Sequence, residues 1–187
     1  ACLVGSEMCI RDRIYTERLH LRRVLKSDAD ALYQACKSPN VGPNAGWKPH
    51  TSPDETRSIM HDVFLIRTGV FAIVEKHSQQ LMGTIGLIND PCRNHFFVRM
   101  LGYSLGEEYW GKGYATEAAR AVINYGFDVL GLGMISAYCY DFNERSGRVL
   151  QKCGMKYEGT LRRGERRYDG RLIDLQCYSI LKEERNN

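Results

Sequence analysis

The sequence predicts a single α+β domain, and three observations carry that prediction. Short apolar runs of strand length alternate along the chain with stretches whose apolar positions keep the i, i+3, i+4, i+7 spacing of an amphipathic helix. Two strand-like runs flank Asp169-Gly170, a pair that adopts the positive φ of a tight hairpin turn. No repeat or linker divides the 187 residues, and 43% hydrophobic with 26% charged residues is ordinary for a globular domain. No apolar run approaches the ~18 residues of a membrane span, and the longest, Val70 to Val74, is strand-sized.

Residues Ala1 to Arg13 read as a non-native tail ahead of a domain expected at 14–183. Their sequence resembles translated sequencing adaptor, and it lacks both the leading basic region and the apolar core of about 7 to 15 residues that a signal peptide needs. A chain beginning at Ile14 is expected to keep its melting temperature and ligand affinity, and thermal unfolding with a binding titration checks this. Leu19 to Val24 then reads as a strand, and Ser27 as the N-cap of a helix from Asp28 to about Cys36. A Pro/Gly-rich loop, Ser38 to Ser52, leads to a second helix near Pro53, with Asp54 and Glu55 at the positive end of its dipole. Phe71 to Glu75 and Leu81 to Leu87 are strands joined by the polar stretch Lys76 to Gln80. The irregular segment Ile88 to Arg99 precedes a strand at Met100 to Leu105. Apolar positions 115, 118, 119, 122, 123, 126, 129 and 130 form one helix face that ends at Gly131. Met134 to Tyr140 is a strand, Glu144 to Lys152 a helix, and Tyr157 to Arg163 with Leu172 to Leu181 the closing hairpin.

The stretch Trp110-Gly111-Lys112-Gly113-Tyr114-Ala115 lies between the Met100 strand and the long helix. A glycine turn opening a helix aims unpaired backbone N–H groups and the positive dipole end at one spot, which suits a phosphate or pyrophosphate. A Walker loop fails here because Gly113 stands where a Ser/Thr hydroxyl must hold magnesium, and a dinucleotide fingerprint fails because Thr116 replaces its third glycine. The turn resembles the acyl-CoA pyrophosphate loop of the GNAT N-acetyltransferases, Q/R-x-x-G-x-G/A. Gly113 and Ala115 match, and Trp110 replaces Gln or Arg at the loss of one polar contact at most.

The resemblance covers nearly all of the chain from Tyr15 to Leu181. Thr16-Glu17-Arg18-Leu19-His20-Leu21-Arg22 is similar to the opening strand of the ribosomal-protein N-terminal acetyltransferase (Rim) branch, and Leu101-Gly102-Tyr103-Ser104-Leu105 to its fourth strand. Asn143-Glu144-Arg145-Ser146 and Cys153-Gly154-Met155-Lys156-Tyr157-Glu158-Gly159 resemble its N-x-x-S and G-F-x-x-E-G motifs, with Met155 for Phe. The resemblance implies the GNAT fold, a mixed, mostly antiparallel sheet of about seven strands with about four helices, splayed between strands four and five. It implies acetyl-CoA as co-substrate, bound by Tyr103, Ser104, Leu105, Gly106, Asn143, Ser146 and the turn Trp110, Gly111, Lys112, Gly113, Tyr114, Ala115 and Thr116. Leu105 or Gly106 would offer an N–H to the thioester carbonyl.

Transfer of an acetyl group from a thioester to an amine needs a neutral amine, a donor for the developing oxyanion and a proton for the thiolate, with no covalent intermediate. In the Rim branch the serine at Ser146 is assigned as proton donor and the glutamate 19 residues on, here Glu165, as general base. Many other GNAT enzymes use a tyrosine one helical turn beyond the serine; Leu150 stands there. By the residues alone, Asn143 also reads as a helix N-cap, Ser146 as a first-turn serine and Glu165 as one charge of a solvated hairpin. Arg162, Arg163, Arg166, Arg167 and Arg171 exceed Glu165 and Asp169 by three charges, which reads as a docking surface for phosphate, acidic substrate or RNA, or as a charged edge that resists aggregation. Trp47 and His50 are candidate walls of an acceptor pocket.

A net charge of +4 does not imply nucleic-acid binding. With the tail set aside, Cys36, Cys92, Cys139, Cys153 and Cys177 are odd in number and form no C-x-x-C pair, and no H-E-x-x-H occurs. These features point to a reducing cytoplasm, no disulfide and no metal. The expected partners are a small amine or a protein N-terminus, a ribosomal protein among them, with no membrane and either a monomer or a homodimer. A non-catalytic acyl-CoA- or RNA-binding module of the same fold is the alternative.

Overall fold

The protein is described by a computed structural model covering residues 13–65 and 69–185. Eight strands form one sheet in the order β1-β2-β3-β4-β5-β6-β8-β7: β1 Arg13–Tyr15, β2 Leu19–Arg23, β3 Val70–Glu75, β4 Leu81–Ile88, β5 Val98–Leu105, β6 Met134–Tyr140, β7 Lys156–Arg166 and β8 Leu172–Leu181. Helices α1 (Ala29–Cys36), α2 (Gly42–Ala45), α3 (Pro53–Met60), α4 (Tyr114–Asp128) and α5 (Glu144–Lys152) cover it. The strand and helix beyond the expected counts are β1 and the single turn α2. Arg13, counted with the tail above, pairs with Arg22 as the first residue of β1, and residues 1–12 of that tail lie outside the described residues.

Local chemistry sets most helix starts. Ser52 accepts the Glu55 N–H at 3.1 Å and Pro53 opens α3 with a φ that already suits a helix. Asn143 accepts the Ser146 N–H at 3.2 Å at the start of α5. Ser27 does not cap α1. Asp28 holds that corner instead, accepting the Leu25 N–H at 2.8 Å and gripping the Arg22 guanidinium at 2.7 and 2.8 Å. A carboxylate with a half-buried cation beside it makes stronger bonds than the neighbouring hydroxyl.

Alternation places Leu101, Leu105, Ile135 and Ala137 under the apolar face of α4, with Ala118, Ala119, Val122, Ile123 and Phe127 packed against them. On the other face, Ala29 and Leu32 of α1 and Met60 of α3 pack on Ala72 and Val74 of β3.

All strand pairs are antiparallel except β5–β6, which is parallel and holds only at Val98↔Met134, Arg99↔Ile135 and Met100↔Ser136. Beyond Met100 and Ser136 the two strands splay. The Gly106 N–H donates to the Met82 carbonyl at 2.9 Å, which fixes the phase of the β4–β5 ladder. Residues 102 and 104 therefore turn their backbone groups to β4, while Leu101, Tyr103 and Leu105 turn theirs into the open gap.

The root of the splay is held by Asp90, whose side chain is 0% exposed. Ser136 and Tyr138 of β6 donate to it at 2.5 and 2.9 Å, the Cys92 N–H at 2.7 Å and Arg93 at 3.1 Å. Arg93 reaches on to Glu158 of β7, whose other oxygen accepts from Ser179 of β8 at 2.8 Å. Burial raises the Asp90 pKa, but the hydrogen bonds outweigh it and leave the carboxyl below its usual range.

Candidate active site

The glycine turn has the conformation its sequence requires. Gly111 and Gly113 have φ of +75° and +83°, and Gly113 caps α4. The first helical bond across it runs from the Glu117 N–H to the Gly113 carbonyl, so the N–H groups of Tyr114, Ala115 and Thr116 have no partner within the helix. A Cβ at Gly111 would enter open space, with nothing within 4 Å. A cradle with donors at its wall and no side chain in its mouth fits a pyrophosphate.

Three contacts complete the turn. The Trp110 indole N–H donates to the Leu105 carbonyl at 2.9 Å, which leaves the Leu105 N–H as that residue's group facing the splay. The Arg145 guanidinium lies 4.0 Å from the Trp110 ring, so a cation stands beside the position where the loop pattern has Gln or Arg. Arg18 donates to the Lys112 carbonyl at 3.0 Å and to Glu117 at 2.7 Å, with its guanidinium 4.4 Å over the Tyr114 ring. Glu117 would otherwise put a lone negative charge in the first turn of α4. Burial raises its pKa, but hydrogen bonds from Thr16 and Arg18 outweigh burial and hold it charged and paired.

A cavity of about 940 Å³ runs from this turn through the splay to the α1–α3 face. Tyr103, Ser104, Leu105, Trp110, Gly111, Gly113, Tyr114, Ala115, Thr116, Asn143, Ser146 and Glu165 line it, as do Trp47 and His50; Gly106 and Lys112 do not. Gly106 is excluded as oxyanion donor because its N–H is bonded to Met82, and Lys112 contributes its carbonyl to Arg18. The Tyr103 and Ser146 hydroxyls are 2.9 Å apart, and burial holds the phenol well above its ordinary pKa, so it stays protonated. Glu165, on β7 opposite Ile173, accepts from the Tyr140 hydroxyl at 2.7 Å. Asn143 also donates to the Asn44 carbonyl at 3.1 Å, tying α5 to α2. One arginine of the basic hairpin is not free for docking: Arg167, its side chain 6% exposed, binds Asp169 and donates to the Pro43 carbonyl, whereas Arg171 binds Asp169 with its side chain 71% exposed.

The sequence profile of the acetyltransferase (GNAT) domain matches residues 18–156. The chain belongs to the GNAT family. It is 35% identical over 177 residues to the uncharacterized N-acetyltransferase p20 of Bacillus licheniformis, covering 92% of this chain and 98% of that protein. Among solved structures, a GNAT acetyltransferase from Bacillus anthracis superposes with a TM-score of 0.80 at 26% identity, over 91% of this chain and 99% of that one. The ribosomal-protein-S5-alanine acetyltransferase of Vibrio fischeri superposes at 0.71 with 25% identity, over 91% and 97%, in keeping with the Rim-branch resemblance. This GNAT chain is therefore an acetyl-CoA-dependent N-acetyltransferase. Among its described residues no helix is long and apolar enough to cross a membrane, and no cluster of His, Cys, Asp or Glu is placed to hold a metal ion.

Arg18, absent from the sequence-based site, is expected to support the co-substrate by neutralising Glu117. Arg18→Ala should weaken acetyl-CoA binding by about 1 to 2 kcal/mol, roughly 5- to 30-fold, and adding Glu117→Gln should recover part of the loss. Calorimetric titration of the single and double variants checks this, and a double variant no tighter than the single one would exclude charge compensation as the cause.

Proposed function

We propose that this enzyme transfers the acetyl group of acetyl-CoA directly to a primary amine, carried by a small molecule or a protein N-terminus, with Glu165 as general base and Ser146 as proton donor. The carrying observation is that Glu165 and Ser146, from β7 and α5, line one cavity that also reaches the α4 turn. Acetyl-CoA supplies an activated thioester; the N–H groups of α4 and the basic Arg145 suit its phosphates, and the gap-facing groups of Leu101, Tyr103 and Leu105 suit its extended arm.

Glu165 takes a proton from the acceptor ammonium, and the Tyr140 hydroxyl fixes the carboxylate's direction. The Leu105 N–H, turned into the gap, is the donor available to a thioester oxygen. The Ser146 hydroxyl protonates the departing sulfur, held by the Tyr103 hydroxyl beside it. Direct transfer is favoured over an acetyl-cysteine route because the two cysteines of the lining, Cys36 and Cys139, are pushed up to about 11 by burial and remain thiols.

Calorimetry with acetyl-CoA followed by thiol release over a panel of amines tests the proposal. Binding followed by amine-dependent thiol release supports it. Binding with no release for any amine or N-terminal peptide would reduce the protein to an acyl-CoA-binding module.

A further inference from the structure

Gly102 lies in β5 on the floor of the cavity, and nothing among the described residues accounts for its missing side chain. It is not among the residues of positive φ, and a Cβ there would meet no heavy atom within 4 Å. Glycine inside a strand loses packing and conformational restriction, so a costly position without a backbone reason marks a place where something else approaches. Its cross-strand partner Gly86 is different, since a Cβ there would strike Gly69 and Val70 at 2.9 Å. The space over Gly102 opens to the cavity on the face shared by Met100 and Ser104, opposite the buried Leu101 and Leu105.

The same cavity is lined by apolar side chains of the α1–α3 side, Ile59 of α3, Val63 and Phe64 of the turn that follows it, and Trp47, with the Thr84 and Ser104 hydroxyls beside the floor. The charged residues of the lining are Glu165, Glu55 and Lys48, together with Arg145, Arg148 and Lys152 of α5. Glu55 is engaged by the Thr51 N–H and hydroxyl at 2.5 and 2.7 Å, and burial lowers the His50 pKa, keeping that ring neutral. Glu165 binds Tyr140 through Oε1, while its Oε2 has no hydrogen-bond partner among the described residues. The chamber thus offers one carboxylate with an oxygen unengaged among the described residues, beside a set of apolar side chains.

We propose that the acceptor is a primary amine of single positive charge on an apolar body, its ammonium at Glu165 and its body over Gly102, which sets the size admitted. The proposal rests on the transferase reading above. A polyamine would bring further ammonium groups, and the chamber's other carboxylate, Glu55, is already held by Thr51 and lies in the field of Lys48, so those ammonium groups would go unpaired, which is strongly disfavoured for a buried cation.

The test compares kcat/KM for phenethylamine, ethylamine and spermidine by thiol release, in the unaltered enzyme and in Gly102→Ala and Gly102→Val. Melting temperature and acetyl-CoA affinity are measured alongside. Phenethylamine should exceed spermidine by at least about tenfold, and Gly102→Val should lower phenethylamine kcat/KM by roughly 10- to 200-fold with a much smaller effect on ethylamine. Both variants should fold, since the new side chain meets open space, and acetyl-CoA affinity should hold. Spermidine equal to or better than phenethylamine would overturn the proposal, as would an equal loss for the large and small amines or a loss confined to acetyl-CoA binding. Gly102→Ala, the smaller intrusion, keeps the comparison readable if the valine variant fails to fold. An enzyme that binds acetyl-CoA but releases thiol with no amine would fail at the transferase reading, a different outcome from a wrong preference.

Discussion

Replacing Glu165 with glutamine is expected to lower turnover by about 10² to 10⁴ while leaving acetyl-CoA affinity nearly intact. Glutamine keeps the shape and an oxygen to accept from Tyr140, 2.7 Å away, but it cannot take a proton from an ammonium. The lesion should shrink as pH rises toward the acceptor's own pKa, where the amine arrives neutral and needs no base. Ser146→Ala should do less harm, because water can protonate a thiolate. Steady-state rates between about pH 6 and pH 9 on a verified acceptor check the assignment. Full turnover by Glu165→Gln across that range would return Glu165 to the role of a surface charge.

Asp90→Ala is expected to destabilise the fold by about 3 kcal/mol, because it leaves Arg93 and the Ser136 and Tyr138 hydroxyls without the buried carboxylate they share. For a domain of this size that lowers the melting temperature by about 6 to 12 °C. Ser136 is the last β6 residue paired with β5, so acetyl-CoA affinity should fall as the splay loses its root. The same group makes a pH prediction. Its folded-state pKa is lowered, so its contribution is present above the unfolded aspartate value of about 4 and disappears as pH falls through the folded value. Acid denaturation of the parent should therefore show a stability loss below about pH 4 that is smaller in Asp90→Ala. A melting temperature unchanged by the substitution would show that the network contributes specificity and little stability.

What was legible in the sequence was local or evenly spaced. The α4 turn is written in Gly111 and Gly113, since a positive φ leaves little choice of residue, and α4 itself in its apolar period. The spacing of Ser146 and Glu165 was legible through the Rim pattern, and the two residues do line one cavity. What escaped depends on contacts between distant positions. Arg18 with Glu117, Tyr103 with Ser146 and Arg145 with Trp110 meet only through the topology, and no local pattern announces them. Gly106 lost its expected role to strand register, which turns its N–H to Met82. Ser27 makes no cap, and the Asp28 carboxylate at that corner is taken up by Arg22, on another element, and by the Leu25 N–H. The β1 strand is three residues long, too short to carry an alternation.

The clamp on the α4 turn also bears on the order in which the molecule is made. Arg18 and Glu117 stand 99 positions apart, and synthesis delivers the N-terminal side first at about 5 to 20 residues per second. For several seconds the Arg18 guanidinium exists without the helix it will hold, and β2 must dock before the turn can be locked. The locked turn is therefore not on offer to acetyl-CoA until Glu117 has been made and α4 has docked on the N-terminal strands. From then on acetyl-CoA acts by mass action, adding about 2.7 kcal/mol at a hundredfold excess over its dissociation constant. Cells rich in the thioester would thus hold this enzyme in a form slower to unfold and to be degraded, linking its abundance to the supply of its own acetyl donor.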